Sequence, residues 1–587
     1  MECLEWEDNF VVDEEWLARK INDVVVDEED QWRTKLLKEI AYEISKHCKL
    51  RSMPCKTTAI QSLENSVIKN IDRPAKEINI YSKTKLEATS SASKIKNRNK
   101  NDGNEVVTTL VKNLKSGKPV HCYPYLDDRE IIQLLNFGHV KQRDLEVELG
   151  GDLLRAISIR RLYLSEMADI SLSNLPFQTY DYNYVIDSCC ENVIGYVPIP
   201  TGFVGPLLMN GRKFFVPMST TEGALIASTS RGCRAIYESG GVVARVYKDG
   251  MTRAPVVQFT NILRALEVKN ILDSRSSFEE IKKVFDSTSS FAKLQQLEVD
   301  ISGRLLFLRF EATTGDAMGM NMVSKGVHAA LSYLKEKYPD MEMLSLSGNY
   351  CVDKKASALN WIKGRGKSVI AEAKIPMTVV QTILKTTVDA LVRLGQAKLL
   401  IGSSMSGTIG GWNAHAANVV AAIFIATGQD VAQVVSSSMC LTSMEKTEHG
   451  DLYVSCNMRC LEVGTVGGGT ILPAQKTCLK MLGCGSPTSI PSESASRLAE
   501  IICSTVLAGE LSLMAAQCSN DLVRSHIKLN RSSRCLHTAT NSAAVHLGKI
   551  ICNKDDDQSK LRMICALRKH SISEKSIEFE MQCSNIL

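Results

Sequence analysis

The sequence contains no C-x-x-C pair among its 19 cysteines, and no Cys/His spacing of a zinc site. That argues against a zinc module and for buried, reduced thiols. No G-x-G-x-x-G follows a strand-like run, which makes a Rossmann dinucleotide domain a poor fit. Charge of one sign is scarce as well: 70 Lys and Arg against 65 Asp and Glu leave a net +5, too little to argue for nucleic acid. The opening stretch MECLEWEDNFVVDEEW is acidic and lacks an apolar core, so it is not a secretory signal, and a reducing, cytosolic setting is expected. Leu399 to Gln429 carries no Asp, Glu, Lys or Arg, yet its unbroken apolar run lasts only from Val419 to Ala426. That is far short of the roughly 20 residues of a membrane span, and a buried core helix is expected there.

What is present is a chain of 587 residues, 44% hydrophobic and 23% charged, ordinary for a globular protein of three or four domains. Residues 1–120 are charge-rich, and Ser82 to Gly103 is Lys, Ser and Asn with almost no large apolar residue, the composition of a disordered linker. Residues 121–190 turn helical: IIQLLNFG ends in a Gly stop, and Leu153, Ala156, Ile157 and Leu164 recur at helical spacing. Gly and Pro punctuation after Glu191 leads to the strand FFVPMS. Val242 to Lys248 and Met251 to Phe259 flank Asp249-Gly250, a hairpin signal.

Residues 255–346 read as a unit of their own. VVQF, SFEEIKKVFDS, LQQLEVDI, RLLFLRFEA, MVSKGVHAALSYLKEKY and EMLSLS give the order β-α-β-β-α-β, that of a ferredoxin-like fold. Residues 191–254 and 347–533 then make one larger domain, interrupted by that insertion, with long helices and Gly-rich turns in its second part. Residues 534–587 are a tail. The fold class expected is α+β: a helical N-domain, a large mixed α/β domain and an inserted ferredoxin-like (βαββαβ) small domain.

Five segments carry candidate chemistry. In STTEGALIASTSRGCRAI, Ser219 and Glu222 have the spacing of a capping box at a helix start, and Glu222 is also a candidate acid. GDAMGMNM (Gly315 to Met322) offers glycines that let backbone approach a ligand and exposed amides suited to phosphate, with Asp316 and Asn321 as polar partners. GTVGGGT (Gly464 to Thr470) is a second such segment. In SGNYCVDKK, Lys354 and Lys355 lie between nearly charge-free flanks, which suggests a partly buried cation in need of an acid. Asp430, after the helix stop Thr427-Gly428-Gln429, and Glu222 are the candidates. The fifth is a late histidine, His526, in LVRSHIKLNRS.

Taken in chain order, the Glu222 stretch, GDAMGMNM, SGNYCVDKK, GGWNAHAAN through Asp430 and LVRSHIKLNRS resemble 3-hydroxy-3-methylglutaryl-coenzyme A reductase of the eukaryotic type, in its catalytic portion. The likeness runs from ENVIGYVPIPTGFVGPL at Glu191 to Ser532, more weakly back to Asp144. It implies reduction of 3-hydroxy-3-methylglutaryl-CoA by two NADPH to mevalonate and coenzyme A. By resemblance, Lys354 stabilises the oxygen that gains charge, Glu222 donates a proton, Asp430 tunes that acid and His526 protonates the departing thiolate. Arg253, Ser347, Lys355, Lys398 and Asn418 match positions around the acyl group, and Arg231 and Lys385 positions near coenzyme A phosphates. Ser289, Asp316, Met318, Gly319, Asn321, Met322, Val466 and Gly467 match cofactor positions. No metal is implied.

The likeness further implies a homodimer or homotetramer with shared active sites and, at Ser532, a site for an AMP-activated kinase, whose phosphate would add about two negative charges. Family enzymes usually carry an N-terminal membrane region at the endoplasmic reticulum; this sequence reads as a fragment, a processed form or a soluble variant. Ser290 stands where the family commonly has Arg beside the 2′-phosphate, which weakens the preference for NADPH over NADH. Ser230, Leu399, Val434 and Met439 stand where Asn is usual. Those changes leave two alternatives open: a weak paralogue that binds coenzyme A esters, or an acyl-CoA hydrolase that reuses Glu222 and His526.

Overall fold

The computed structural model describes residues 123–519, except 187 and 486–489. His526, Ser532, the Ser82 to Gly103 linker and the tail lie outside the described residues.

The helical part begins at α1 (Asp128–Asn136). The Asp127 carboxylate accepts from the Glu130 amide at 2.8 Å and the Glu130 carboxylate from the Asp127 amide at 2.9 Å. This reciprocal cap satisfies amide groups the helix cannot pair. In α2 (Leu153–Ala168) the buried Arg160 pairs with Glu146 at 2.7 Å and donates to the Val193 carbonyl at 2.9 Å. That bond ties the helices to the ENVIG segment.

β1 (Thr201–Met209) and β2 (Arg212–Ser219) form a two-stranded antiparallel sheet. Asn210 and Gly211, both at positive φ, make the tight turn between them. α3 (Leu225–Glu238) follows, and then β3 (Val243–Arg253). The predicted hairpin at Asp249-Gly250 does not form, and β3 runs straight through it. Tertiary contacts override the turn residues: Asp249 pairs with Lys367 at 2.7 Å, and the Gly250 backbone lies so close to the Glu311 side chain that no Cβ would fit. At this point β3 changes partner, from β8 (Gly366–Ile375) to β6 (Leu305–Thr313).

The small unit contains β4 (Val256–Gln258), α4 (Ile262–Leu272), α5 (Arg275–Asp286), β5 (Lys293–Ser302), β6, α6 (Met320–Lys337) and β7 (Glu342–Ser345). Its strands lie in the order β7-β4-β6-β5, the antiparallel arrangement expected from the β-α-β-β-α-β pattern. Helix α4 is additional; its burial at Ala265, Val268 and Leu272 comes at helical spacing. A core of its own, centred on Phe285 stacked over Phe310 with Val323, Val327 and Leu308, fills the space between sheet and helices.

The second half of the large part corrects the expectation of helices alone. β8, β10 (Cys440–Lys446) and β11 (Leu452–Leu461) are antiparallel strands continuing the same sheet, with β9 (Gly411–Trp412) at its edge. β11 buries Leu452, Val454, Cys456 and Met458 on one face, the period of a half-covered strand. Two helices close the core. α8 (Ala416–Thr427) holds the apolar run read from the sequence. α9 (Glu493–Cys518) is long and apolar enough to cross a membrane, but 89% of its apolar window is buried inside the protein. It packs on α3, α8 and the sheet. Each fully buried Leu or Ile along it contributes about 1.5–3 kcal/mol of burial, which accounts for its apolar composition without a bilayer.

Candidate active site

Lys354 sits in a loop between β7 and a short helix, α7 (Ala358–Lys363). Three non-glycine residues here take positive φ: Asn349 at 61°, Val352 at 49° and Lys354 at 57°. Each such residue costs on the order of 1–3 kcal/mol and persists only where its surroundings hold it. The holding bonds are present: Gly348 N to Ala254 O at 2.7 Å, Asn360 Nδ2 to Val352 O at 2.9 Å, and Thr252 Oγ1 to Cys351 O at 3.3 Å. The loop presents Lys354 Nζ to Asp430 Oδ2 at 2.9 Å. Asp430 stands just beyond α8, where its carboxylate also caps the next turn by accepting from the Ala432 amide at 3.0 Å. Lys354 is more exposed than the sequence suggests, its side chain 46% accessible in the single chain.

Glu222 lies at the other end of α8. It precedes α3 rather than opening it: Ala224, at φ 72°, is the cap residue, and Ser219 ends β2 with its hydroxyl on Thr201. The expected capping box is therefore absent. Instead, Glu222 N donates to Thr220 Oγ1 at 3.0 Å, and Glu222 Oε1 accepts from Asn418 Nδ2 at 3.2 Å. Asn418 is fixed because the start of α8 is fixed. The buried Glu510 carboxylate accepts from the Ala414 and His415 amides at 2.7 and 2.8 Å and from Thr442 Oγ1 at 3.1 Å. A carboxylate at a helix N-terminus is favoured by the amides aimed at it.

The helical residues from Asn418 to Thr427 span roughly 14 Å at about 1.5 Å per residue. One chain thus brings Lys354 to Asp430 and Glu222 to Asn418, at opposite ends of α8. Among the described residues, no hydrogen bond joins the two pairs.

The two glycine-rich segments come together. Ala317 bridges Val466, Thr465 N donates to Asp316 O at 2.7 Å, and a Cβ on Gly464 would lie 2.9 Å from the Ala317 carbonyl carbon. Asp316 Oδ1 accepts from Ala495 N at 2.8 Å, which anchors the pair of segments to α9. Gly319, at φ 90°, starts α6 with no side-chain cap, so the amides of Met320, Asn321 and Met322 face outward for an anion. Ser289 Oγ lies 3.8 Å from Met322 Sδ, beside this helix start.

The remaining candidates are distributed as follows. Arg253 Nε donates to Ser324 Oγ at 3.2 Å, Ser347 Oγ lies 3.6 Å from Cys351 Sγ, and Lys355 Nζ donates to Asp353 O at 3.2 Å. Lys385 is exposed, and Lys398 is half-buried in a π-helical stretch, Gly395–Gly402. Arg231 donates to Ser512 Oγ at 3.0 Å and Ser512 O at 2.6 Å, so it ties α3 to α9. Leu399 and Met439 are buried, and Leu399 belongs to the main core.

Sequence reasoning passed over the residues beneath Lys354. The fully buried Arg365 guanidinium lies 2.7 Å from Glu462 and 3.1 Å from Asp353. Gln433 Nε2 donates to Asp353 Oδ1 at 2.9 Å. Burial raises the Asp353 carboxyl, but Arg365 and Gln433 outweigh it and hold it below the usual carboxylate value. At Glu462 burial wins over Arg365 and pushes the carboxyl up to about 7 from an ordinary 4.5. Between those two values the folded chain keeps a proton that the unfolded chain has released. This group's contribution is therefore full below pH 4.5 and lost as pH rises through 7. Urea melts at pH 5 and pH 8 should show Glu462→Gln flattening that decline, by on the order of 1–3 kcal/mol. Equal slopes in variant and parent would refute the assignment.

Comparison with known proteins shows what the chain is similar to. The sequence profile described as hydroxymethylglutaryl-coenzyme A reductase matches residues 156–531. A 3-hydroxy-3-methylglutaryl-coenzyme A reductase of Blattella germanica is 54% identical over 413 residues, 70% of this chain and 48% of the relative. One from Xenopus laevis is 52% identical over 429 residues, 72% of this chain and 48% of the relative. Reductase 1 of Arabidopsis thaliana is 50% identical over 416 residues, 70% of each chain. The chain spans about half the length of the first two relatives. Among solved structures, a class II reductase of Streptococcus pneumoniae bound to NADPH aligns at 20% identity and TM-score 0.45, over 68% of this chain and 98% of that one.

Proposed function

The chain belongs to the hydroxymethylglutaryl-coenzyme A reductase family, and from that premise we propose that it reduces 3-hydroxy-3-methylglutaryl-CoA to mevalonate and coenzyme A with two NADPH. The observation that carries this reading is the 2.9 Å Lys354–Asp430 pair on a strained, tightly held loop. A thioester carbonyl placed against Lys354 Nζ would find an ammonium where hydride addition develops negative charge, the electrostatic effect that dominates many such reactions. The nicotinamide, when bound, supplies the hydrides. Its fit rests on the uncapped amides of α6 and the close backbone approach of 315–322 to 464–470, which offer phosphate donors without a Rossmann turn. Asp316, Met318, Gly319, Asn321, Met322, Val466, Gly467 and Ser289 would hold it, within a unit we place at residues 255–346 and the facing 464–470 segment.

Glu222, steadied by Asn418, donates the proton that the alkoxide needs. Asp430 faces Lys354 and orients it. His526, outside the described residues, protonates the thiolate that leaves. Arg253, Ser347, Lys355 and Lys398 grip the acyl group, and Lys385 and Arg231 lie towards coenzyme A. Since α8 holds Glu222 and Lys354 apart in one chain, the complete set requires the Glu222 end of one copy to face the Lys354 end of another, in a homodimer or a homotetramer. We place this catalytic portion on the cytosolic side, at the endoplasmic reticulum where a membrane region precedes it, with Ser532 open to an AMP-activated kinase.

The test follows two signals on the purified chain given 3-hydroxy-3-methylglutaryl-CoA and NADPH: nicotinamide absorbance and free thiol. Two NADPH oxidised per thiol released is the expected result. Thiol without NADPH oxidation would make the protein a hydrolase, and neither signal would make it a binder of coenzyme A esters.

A further inference from the structure

Lys354 and Asp430 are both partly in solvent, with side chains 46% and 34% accessible. A solvent-screened ion pair of this kind contributes little and does not by itself hold two loops in register. Lys354 also keeps a backbone conformation, φ 57°, that an isolated chain would leave. Something beneath the pair must hold it.

We propose that buried Arg365 is the positioning residue of this site, clamping the Lys354 loop to the Asp430 turn through Asp353 and Gln433. Its guanidinium is a rigid planar fork with donors on several sides. Arg365 Nη2 lies 3.1 Å from Asp353, the residue before Lys354. Nη1 donates to Gln433 Oε1 at 3.4 Å, and Nε donates to Thr252 Oγ1 at 3.1 Å. Thr252 in turn holds the Cys351 carbonyl in the same loop. Gln433 closes the clamp: its side chain donates to Asp353 at 2.9 Å, while its amide donates to Asp430 O at 2.9 Å. Both halves of the ion pair are therefore one residue or one turn away from a single cation that has no access to solvent. Glu462 at 2.7 Å balances its charge once ionised, above about pH 7; this is then a contact of charges rather than an aligned hydrogen bond.

The proposal rests on the reading of Lys354 and Asp430 as catalytic, and its test separates the two. Removing Arg365 alone strands a buried Glu462, which destabilises the fold and confuses folding with function. Gln433→Met is close in volume and leaves the Arg365–Glu462 pair in place. Arg365→Lys keeps the charge and loses the fork. Both variants should stay folded by thermal melt.

With turnover as the readout, kcat per folded molecule falls about 10–100-fold while KM for the thioester and NADPH stays within about threefold, since a misplacement of about 1 Å is enough for that loss. A double variant with Lys354→Ala should then lose far less than the product of the single losses. A second readout needs no turnover: limited acetylation of the full chain, read by peptide mass. In the parent, Lys354 should react about fivefold or more slowly than exposed Lys385, because its amine is held by Asp430; in Gln433→Met the two rates should converge. An unchanged acetylation ratio, or unchanged kcat per folded molecule in both variants of an active parent, overturns the proposal. A changed ratio in a parent that never oxidises NADPH supports the clamp and overturns the reductase reading instead.

Discussion

Lys354→Ala lowers kcat by about 10²–10³-fold with a small change in KM, the loss expected when one preorganised charge is withdrawn from a developing oxyanion. Asp430, 2.9 Å from the amine, and the bonds that fix 348–352 hold the cation in place before substrate arrives, so little reorganisation remains to be made during reaction. On the proposed assignment, ground-state binding uses other cations, among them Lys355 and Arg253, so KM should hardly move. Lys354→Arg is the informative control: it restores charge but not position, because a forked guanidinium cannot occupy the site of a compact ammonium. Its activity should stay closer to the alanine variant than to the parent. Steady-state kinetics on folded protein decide the matter. A fall in kcat below about threefold would remove Lys354 from the chemistry.

Gly232→Ala should be the most damaging single methyl group in the protein. Gly232 lies mid-way along α3 where the helix crosses α9, and a Cβ there would overlap the Ala508 carbonyl oxygen and lie 2.6 Å from its carbon. The obstacle is backbone, so no side chain can turn aside. The crossing is also bonded on one flank, where Ser228 (at 3.0 Å) and Arg231 both meet Ser512, so the helices cannot part there without breaking polar contacts. Helix propensity favours alanine by about 1 kcal/mol. Overpacking typically costs 1–3 kcal/mol, and here, backbone against backbone, at least about 3 kcal/mol. A net loss of at least about 2 kcal/mol should appear as a lower urea midpoint or insoluble protein. A variant as stable as the parent would mean that the two helices do not meet as described.

Much of this was legible in the sequence, for reasons that differ between segments. The β-α-β-β-α-β order stood out because its apolar periods switch cleanly between two and three to four. Lys354 stood out because its flanks carry so little charge. Gly464 lies against the 316–318 backbone, an approach only a glycine permits, whereas Gly319 packs on the Thr314 side chain. Misreadings came where distant partners decide. Asp249-Gly250 has turn chemistry but is claimed by Lys367 and Glu311. The alternation in β11 was visible, yet its neighbours' glycines suggested helices with turns. Arg365 and Glu462 had no local signal at all: KGRGKSV reads as a surface run, and only the fold brings its arginine into a closed, dry space with an acid from the end of β11.

The separation of Glu222 and Lys354 by the length of α8 bears on how such a gene can vary. Each residue inserted into that helix would advance everything beyond it by about 1.5 Å and turn it by about 100°. Asp430 would then swing away from its ammonium while Asn418 stayed put. Surface loops elsewhere can lengthen at little cost, since closing a longer loop costs only about 0.6 kcal/mol per doubling. Residues 416–427 have no such freedom: an exposed position such as Ala417 can be substituted, but a single codon gained or lost there breaks the register between the two ends.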